Sequence, residues 1–206
     1  MKKLVFSLIL VLSVSVFAGK SNYMKFVESY GSGDYDSALK YAKMQLKDEM
    51  KSYGKYSRYV GMTYNNIGMC YNNKSEYEVA LENYKKALVS YSSVLDDNDP
   101  EFATVYYNMA SAYDYMADYS NALEYYKKAL FIRERVLKQS DPKLSKTYND
   151  VALASYNNGL HDEAVKNIKI ALELSVSTLG EEHPQTKLIQ KNYDLINNTV
   201  TDKKQK

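Results

Sequence analysis

The chain has 206 residues and a nearly balanced charge, with 27 Lys and Arg against 25 Asp and Glu. The lysines alternate with acidic residues along the sequence, which gives no support for a nucleic acid or an acidic membrane as the partner. A single cysteine excludes an internal disulfide, and the two histidines leave few candidate metal ligands.

Residues 1–18 have the pattern of a secretory signal peptide. Lys2 and Lys3 precede an apolar run that ends at Phe17, and the small-residue pattern up to Ala18 has the form of a cleavage site. The run is short for a membrane-spanning helix. We therefore predict an exported protein, periplasmic or extracellular. The alternative is an N-terminal anchor that is retained.

Beyond this segment the sequence repeats with a constant period. Prolines recur 42 residues apart, at Pro100, Pro142 and Pro184. The residues before them are Asp99, Asp141 and His183. An acidic residue followed by Pro is typical of a helix start, because the carboxylate can cap the helix and the fixed φ of Pro suits its first turn. A period of this length indicates units that bury their apolar faces against their neighbours.

Each unit is predicted to contain two antiparallel helices. In one unit Tyr106, Met109, Ala110 and Tyr113 fall at i, i+3, i+4 and i+7, which is one face of a helix. A second helix with the same spacing begins at Tyr119, after a short polar turn. Small residues recur where the two helices must approach closely. They are Gly68, Ala110 and Ala152 in the first helices, and Ala80, Ala122 and Ala164 in the second helices.

At these residues the chain resembles the tetratricopeptide repeat. The Tyr-x2-Ile-Gly-x2-Tyr…Ala-x3-Tyr series from Tyr64 to Tyr84 follows the pattern of that family. The period and residues 179–184 are similar to the longer subtype found in kinesin light chains. The resemblance implies an all-α fold, a right-handed superhelical solenoid of antiparallel helix pairs that ends in a C-terminal capping helix.

The first repeat is less regular than the others. The interval from Tyr30 to Ala38 is one residue shorter than that from Tyr71 to Ala80, so a tightened turn is expected. Gln45 also takes the place of a small Ala.

The predicted organisation is a signal peptide, four repeats, a capping helix and a disordered tail. In the capping helix, Leu188, Tyr193 and Ile196 are expected to face inward. The boundaries are 1–18 for the signal peptide, 19–57 for a degenerate first repeat, 58–99, 100–141 and 142–183 for three regular repeats, 184–197 for the capping helix and 198–206 for the tail.

No catalytic, metal or cofactor site is predicted. His161 and His183 have no partner His or Cys at metal-ligand spacing, and the chain has no Gly-rich phosphate loop. Cys70 takes the position of Ala112 and Ala154 in later repeats. We therefore expect it to be a small buried residue; the alternative is an intermolecular disulfide. The prediction is a protein that is not an enzyme.

The resemblance implies a peptide-binding surface, because the first helices of such repeats line a concave groove. Residues one, five, eight and nine positions after the first Tyr of a unit face that groove, and the helix-pair core does not require them. Their amides can pair with an extended peptide, and Tyr and Met supply contact area. The predicted residues are Asn65, Met69, Asn72, Asn73, Tyr107, Ser111, Asp114, Tyr115, Asn149, Leu153, Tyr156 and Asn157.

The predicted function is therefore an exported, non-catalytic scaffold that binds a protein or an extended peptide in this groove. No nucleic acid partner is expected, nor membrane insertion after signal cleavage. Tyr107 and Tyr115 are the expected hot spots, and their truncation should leave the fold intact. The alternative is a structural subunit of an envelope complex that assembles by stacking of solenoids. Exposed apolar residues in the groove favour binding, and such residues at the terminal helices favour stacking.

Overall fold

The computed structural model of the chain describes residues 21–204, with side chains up to residue 199, and every regular element in that range is an α-helix. The all-α class is thus confirmed. The predicted signal peptide at residues 1–18 lies outside the described residues. The helices are α1 (residues 21–31), α2 (Tyr35–Tyr53), α3 (Arg58–Asn73), α4 (Tyr77–Ser92), α5 (Pro100–Tyr115), α6 (Tyr119–Val136), α7 (Pro142–Asn157), α8 (His161–Leu179) and α9 (Pro184–Lys204).

The chain divides into two compact units, Met1–Asp97 and Asn98–Lys206. The described part of the first, here called the N-terminal unit, holds α1 to α4. The second, here called the C-terminal unit, holds α5 to α9. In each unit successive helices form antiparallel pairs, whose first helices are α1, α3, α5 and α7; α9 follows the last pair and is counted with the first helices because it continues their repeat positions.

The predicted helix caps before the prolines are present. In each case the side chain accepts a hydrogen bond from the backbone N–H two residues later, which supplies one of the partners that a helix start lacks. The accepting atoms belong to Asp99 at 3.1 Å, Asp141 at 2.9 Å and His183 at 3.1 Å.

The turns inside the helix pairs share one backbone geometry. Gly33, Ser75, Ala117 and Gly159 lie 42 residues apart and all have positive φ, at 80°, 62°, 58° and 78°. The residue after each donates its N–H to the carbonyl five residues earlier, and for the first turn that carbonyl belongs to Ser29. The expected shortening of the first turn is therefore wrong. Ser29, not Tyr30, takes the position of Tyr71, because the turn geometry sets the register and the aromatic pattern does not.

Glycines in the N-terminal unit make room for two tyrosine rings. A Cβ atom at Gly68 would lie 2.5 Å from Cε1 of Tyr84, and one at Gly61 would lie 2.2 Å from Cε1 of Tyr91. Both rings are buried. The close approach predicted at Gly68 thus has a specific cause, which is a ring from α4 lying on the backbone of α3.

Cys70 is fully buried with a free thiol, packed against the apolar core of α1, α2 and α3. Burial raises the pKa of its thiol to about 12. This agrees with the expectation of a small buried residue.

The last helix differs from the prediction in which residues face inward and in its length. Ile189 and Ile196 are buried against α7 and α8, with Tyr193 partly buried beside them, whereas Leu188 is exposed. The buried stripe has the spacing i, i+4, i+7, and Leu188 lies one position off it. The helix also continues to Lys204, beyond the predicted end at residue 197.

Candidate functional site

The predicted groove residues of the C-terminal unit lie on α5 and α7, and α9 continues the same repeat positions. Side chains on these three helices form a hydrogen-bonded row. The Tyr107 hydroxyl on α5 donates to Asp150 on α7. Asn149 Nδ2 donates to Oδ1 of Asp150 at 3.0 Å, and Asn192 Nδ2 on α9 donates to Oδ1 of Asn149 at 2.8 Å. We call these four residues the polar row.

The polar row gives two predicted groove residues a structural role that sequence analysis did not assign. Asn149 is buried, and both ends of its amide already have protein partners. Tyr107 is half-buried, and its ring packs edge-on against Tyr126 with centroids 5.3 Å apart. The expectation that the repeat core does not need Tyr107 therefore does not hold.

Two cations balance the carboxylate of the polar row. The guanidinium carbon of Arg133 lies 4.4 Å from the centroid of the Tyr107 ring, and Lys146 Nζ lies 5.1 Å from it. Burial raises the pKa of Asp150, although hydrogen bonds from Tyr107 and Asn149 and the two nearby cations oppose the rise. Burial likewise raises the pKa of Tyr107 and lowers that of Arg133. The cluster is thus held together by internal contacts.

The other predicted residues of α5 differ in exposure. Ser111 is half-buried and shares a hydrogen bond with Tyr126. Asp114 is half-buried; burial, and then the charge of Asp150, raise the pKa of its carboxyl. Tyr115 is 67% exposed. Of the predicted residues of this helix, Tyr115 presents the most surface to solvent.

On α7, Leu153 and Tyr156 are partly buried against the core formed with α8 and α9, and the Tyr156 ring lies 5.5 Å from that of His161. Asn157 is exposed. On α9 the corresponding positions include Leu195, which is 54% exposed. Sequence analysis missed Leu195 because it treated α9 only as a cap, although adding 42 to Leu153 would have found it.

In the N-terminal unit the predicted amides are largely used within the protein. Asn73 Nδ2 donates to the Tyr30 hydroxyl and to the Met69 carbonyl, both at 2.8 Å. Asn65 is buried, with Nδ2 3.6 Å from Sδ of Met69. Asn72 differs, because its Oδ1 is buried with no hydrogen-bond partner among the described residues.

The cross-helix contacts in both units follow one spacing. Tyr30 to Asn73, Tyr107 to Asp150 and Asn149 to Asn192 each join residue i to residue i+43. This separation is one repeat plus one residue, so it connects neighbouring first helices at adjacent positions of the repeat. The contacts hold successive first helices side by side within each unit.

The described part of the chain has neither a cluster of metal ligands nor a membrane-spanning helix. Within it, no three His, Cys, Asp or Glu side chains come together as metal ligands would. Among residues 21–204, no helix has both the length and the apolar character needed to cross a bilayer. His183 serves as a helix cap.

Two family models, each described as a tetratricopeptide repeat, match residues 59–135 and 144–185, which together make up more than half of the chain. A search of curated proteins found no match.

Solved structures with the same fold have low sequence identity to the chain. A Podosopora anserina protein described as a kinesin light chain with nearly identical TPR-like repeats is 16% identical, with a TM-score of 0.76 over 90% of this chain and 88% of that one. BtubC (BKLC) from P. vanneervenii is 17% identical, with a TM-score of 0.80 over 91% and 76%. The apo form of RapI is 10% identical, with a TM-score of 0.75 over 89% and 64%.

Proposed function

Because the chain belongs to the tetratricopeptide repeat family, whose repeats serve protein interaction, we propose that it is an exported, non-catalytic scaffold that binds a protein or an extended peptide on its first helices. Residues 1–18 support the export part of this proposal, since they have the pattern of a signal peptide.

The proposal rests on the repeat positions of exposed apolar residues on the terminal helices α1 and α9. Tyr23 and Val27 on α1 are exposed, and they occupy the repeat positions of Asn65 and Met69. On α9, exposed Leu195 occupies the position of Leu153. These are groove positions, so each unit has exposed apolar residues at positions predicted to bind a partner. Exposed apolar residues at groove positions favour binding, whereas Met24 on α1 and Leu188 on α9, which are exposed at other positions of the terminal helices, keep end-to-end stacking as the alternative.

The first helices also provide a rigid support for contact residues. In the C-terminal unit the polar row joins α5, α7 and α9, while Tyr115, Asn157 and Leu195 remain open to solvent. Binding to a surface that is already ordered costs less entropy than ordering a loop. An aromatic ring with neighbouring amide and aliphatic groups can contact both the backbone and the side chains of a peptide.

The test of binding uses a double variant, Tyr115→Ala with Leu195→Ala. The protein serves as bait in an envelope extract, and a partner retained by the wild type is identified and its affinity measured. Truncation of central contact residues commonly costs upwards of about 2 kcal/mol, so binding should weaken about thirtyfold or more. Tyr107 is left unchanged, since its hydroxyl contacts Asp150 and its loss would disturb the fold.

The matched control truncates exposed apolar residues on second helices. Phe131 on α6 and Val176 on α8 are exposed but do not lie on the first helices. Phe131→Ala with Val176→Ala should leave the affinity unchanged within about twofold. Equal losses from the two double variants, or full binding by Tyr115→Ala with Leu195→Ala, would contradict the proposed surface.

Export is tested separately by intact mass or N-terminal sequencing of the secreted protein. Cleavage after Ala18 should place Gly19 first. A chain that keeps Met1 and stays in the membrane would contradict export without affecting the binding proposal.

A further inference from the structure

The loop between α2 and α3 presents three tyrosines to solvent. Tyr53, Tyr56 and Tyr59 are 47%, 46% and 50% exposed. The Tyr53 and Tyr59 rings lie against each other, with centroids 4.6 Å apart. We call residues 51–59 the tyrosine loop. It includes the end of α2, four connecting residues and the start of α3.

The tyrosine loop is also locally basic. It contains Lys51, Lys55 and Arg58, and no Asp or Glu occurs in the sequence between Glu49 and Glu76. Lys51 and Lys55 are exposed, and Lys55 Nζ lies 5.2 Å from the Tyr56 ring. The net charge of the whole chain does not reveal this basic segment, because acidic residues elsewhere balance its positive charge.

The repeat itself does not require this composition. Leu95, Leu137 and Leu179 take the position of Tyr53 in later units. The corresponding segment 93–101 is acidic, with Asp96, Asp97, Asp99 and Glu101, whereas segment 135–143 carries Arg135, Lys138 and Lys143 beside Asp141. Neither segment contains a tyrosine, so packing of the helix pairs does not require the tyrosines of the loop or their combination with cations in a segment without acidic residues.

We propose that the tyrosine loop contacts the surface of a lipid bilayer with anionic headgroups. Tyr rings are amphipathic and favour the headgroup level, with the ring body in the apolar boundary and the hydroxyl in water. Lys and Arg near such a surface are attracted by its negative potential, and their long stems let the charge reach the headgroups. The contact is peripheral and involves this loop alone.

The ring geometry favours a bilayer over a nucleic acid. Bases bind to proteins by stacking on open aromatic faces. Here Tyr53 and Tyr59 pack on each other, and Lys55 lies over Tyr56. Part of each ring is thus already covered, while their exposed edges suit a headgroup layer. The inference does not rest on the proposed peptide-binding function.

The first experiment compares binding of the full chain to two kinds of vesicle, phosphatidylcholine alone and phosphatidylcholine with phosphatidylglycerol. Lys2, Lys3 and the apolar run before Phe17 are common to all variants, so a difference between variants in the ratio of the two affinities reports the electrostatic contact of the loop. Each cation near an anionic surface contributes about fivefold. Lys51→Gln with Lys55→Gln should therefore lower the ratio about 25-fold, and added salt should lower it further.

The matched control is Lys166→Gln with Lys169→Gln. These two lysines are exposed on α8, and the double change alters the net charge equally. The ratio should stay within about twofold of wild type if the loop makes the contact. Equal losses from the two pairs, or no preference of the wild type for the anionic vesicle, would overturn the proposal. Thermal melts of the wild type and the two double variants should coincide.

The second experiment tests the tyrosines and the location. Tyr56→Ser leaves the charge unchanged and should weaken binding to anionic vesicles severalfold. Amide hydrogen exchange should show protection of residues 51–59 on anionic vesicles and not on neutral ones. Unchanged binding by Tyr56→Ser, protection elsewhere only, or displacement from the vesicles by soluble glycerol phosphate or a DNA oligonucleotide would overturn the bilayer assignment.

Discussion

Glu49 in the N-terminal unit and Arg133 in the C-terminal unit occupy the same position of the repeat, two periods apart. Both lie near the end of a second helix, and both contact a threonine that follows 14 residues later. Glu49 accepts a hydrogen bond from the Thr63 hydroxyl at 2.6 Å. Arg133 donates from Nη1 to Oγ1 of Thr147 at 2.5 Å.

The threonine explains how one position holds either charge. A hydroxyl can donate to a carboxylate or accept from a guanidinium, because it has one proton and two lone pairs. Thr147 does both, since it accepts from Arg133 and donates to the Lys143 carbonyl at 2.6 Å. The helix-pair geometry thus specifies a hydrogen bond at this position and leaves its polarity open.

The two charges differ in what surrounds them. Arg133 lies against the Tyr107 ring and near Asp150, so its charge has an opposite partner in the polar row. Glu49 accepts hydrogen bonds from two neutral groups, the Thr63 hydroxyl and Gln45 Nε2, the latter at 2.7 Å. Burial raises the pKa of Glu49 in spite of these hydrogen bonds. The half-buried charge of Arg133 is therefore compensated by an opposite charge, and the buried charge of Glu49 by hydrogen bonds from neutral groups.

Exchanging the charge of Arg133 should have the largest effect on the free energy of unfolding. Arg133→Glu would place a carboxylate near Asp150 and remove the donor to Thr147. Removing one partner of a buried charge cluster costs about 3 kcal/mol or more of unfolding free energy. Urea denaturation checks this value. Arg135→Glu makes the same charge change at an exposed position of the same helix and should cost less than about 1 kcal/mol; equal losses would mean that Arg133 is not compensated locally.

Tyr91 occupies the same repeat position as Glu49, one period later, and tests the effect of side-chain size there. Its ring lies on Gly61, where an added Cβ would come within 2.2 Å of Cε1. Gly61→Ala should cost about 2 kcal/mol by overpacking, even though Ala favours a helix. Ala103 takes the position of Gly61 in the next repeat, so Ala103→Gly should cost only about 1 kcal/mol, from helix propensity. A stabilised Gly61→Ala variant would show that Tyr91 can move away.

The contribution of Glu49 to stability should depend on pH, which tests its difference from Arg133. A folded-state pKa above the unfolded value of about 4.3 means that Glu49 stabilises the fold most below that pH. This contribution is lost as the pH rises through the folded pKa. Glu49→Gln should therefore be more stable than wild type at neutral pH, and the difference should vanish near pH 4.

Chemical denaturation of wild type and Glu49→Gln across this pH range measures the difference. Glu82→Gln, an exposed change on α4, serves as the control and should leave the pH dependence unaltered. A difference for Glu49→Gln that stays constant with pH would contradict the assigned effect of burial on Glu49.

The smallest effect concerns the caps, where one position again accepts two residue types. His183 caps α9 as Asp141 caps α7. His183→Ala should cost about 1 kcal/mol in local opening of α9, because an N–H loses its acceptor. His183→Asp should match wild type within about 0.5 kcal/mol, since Asp is a strong capping residue. Amide hydrogen exchange at the start of α9 distinguishes the two; equal protection in both variants would contradict the capping role.

The site could be predicted only in part. The repeat position identified Tyr115 and Asn157, which are exposed on the first helices. It could not show that Asn149 is saturated by Asp150 and Asn192, because that depends on which side chains meet between helices. It also assigned Tyr30 to the position of Tyr71, which Ser29 occupies, because the aromatic residue was matched instead of the serine before it.

The sequence by itself determined the helix pairs, their caps and their small residues, because these follow from contacts within one turn or from a strict period. Each cap depends only on residues at its own helix start, as in the case of Asp99, Asp141 and His183. Only the tertiary structure decided the polar row and the opposite charges at Glu49 and Arg133. Those depend on bonds between residues 14 or 43 positions apart, whose partners become neighbours only when the helices pack.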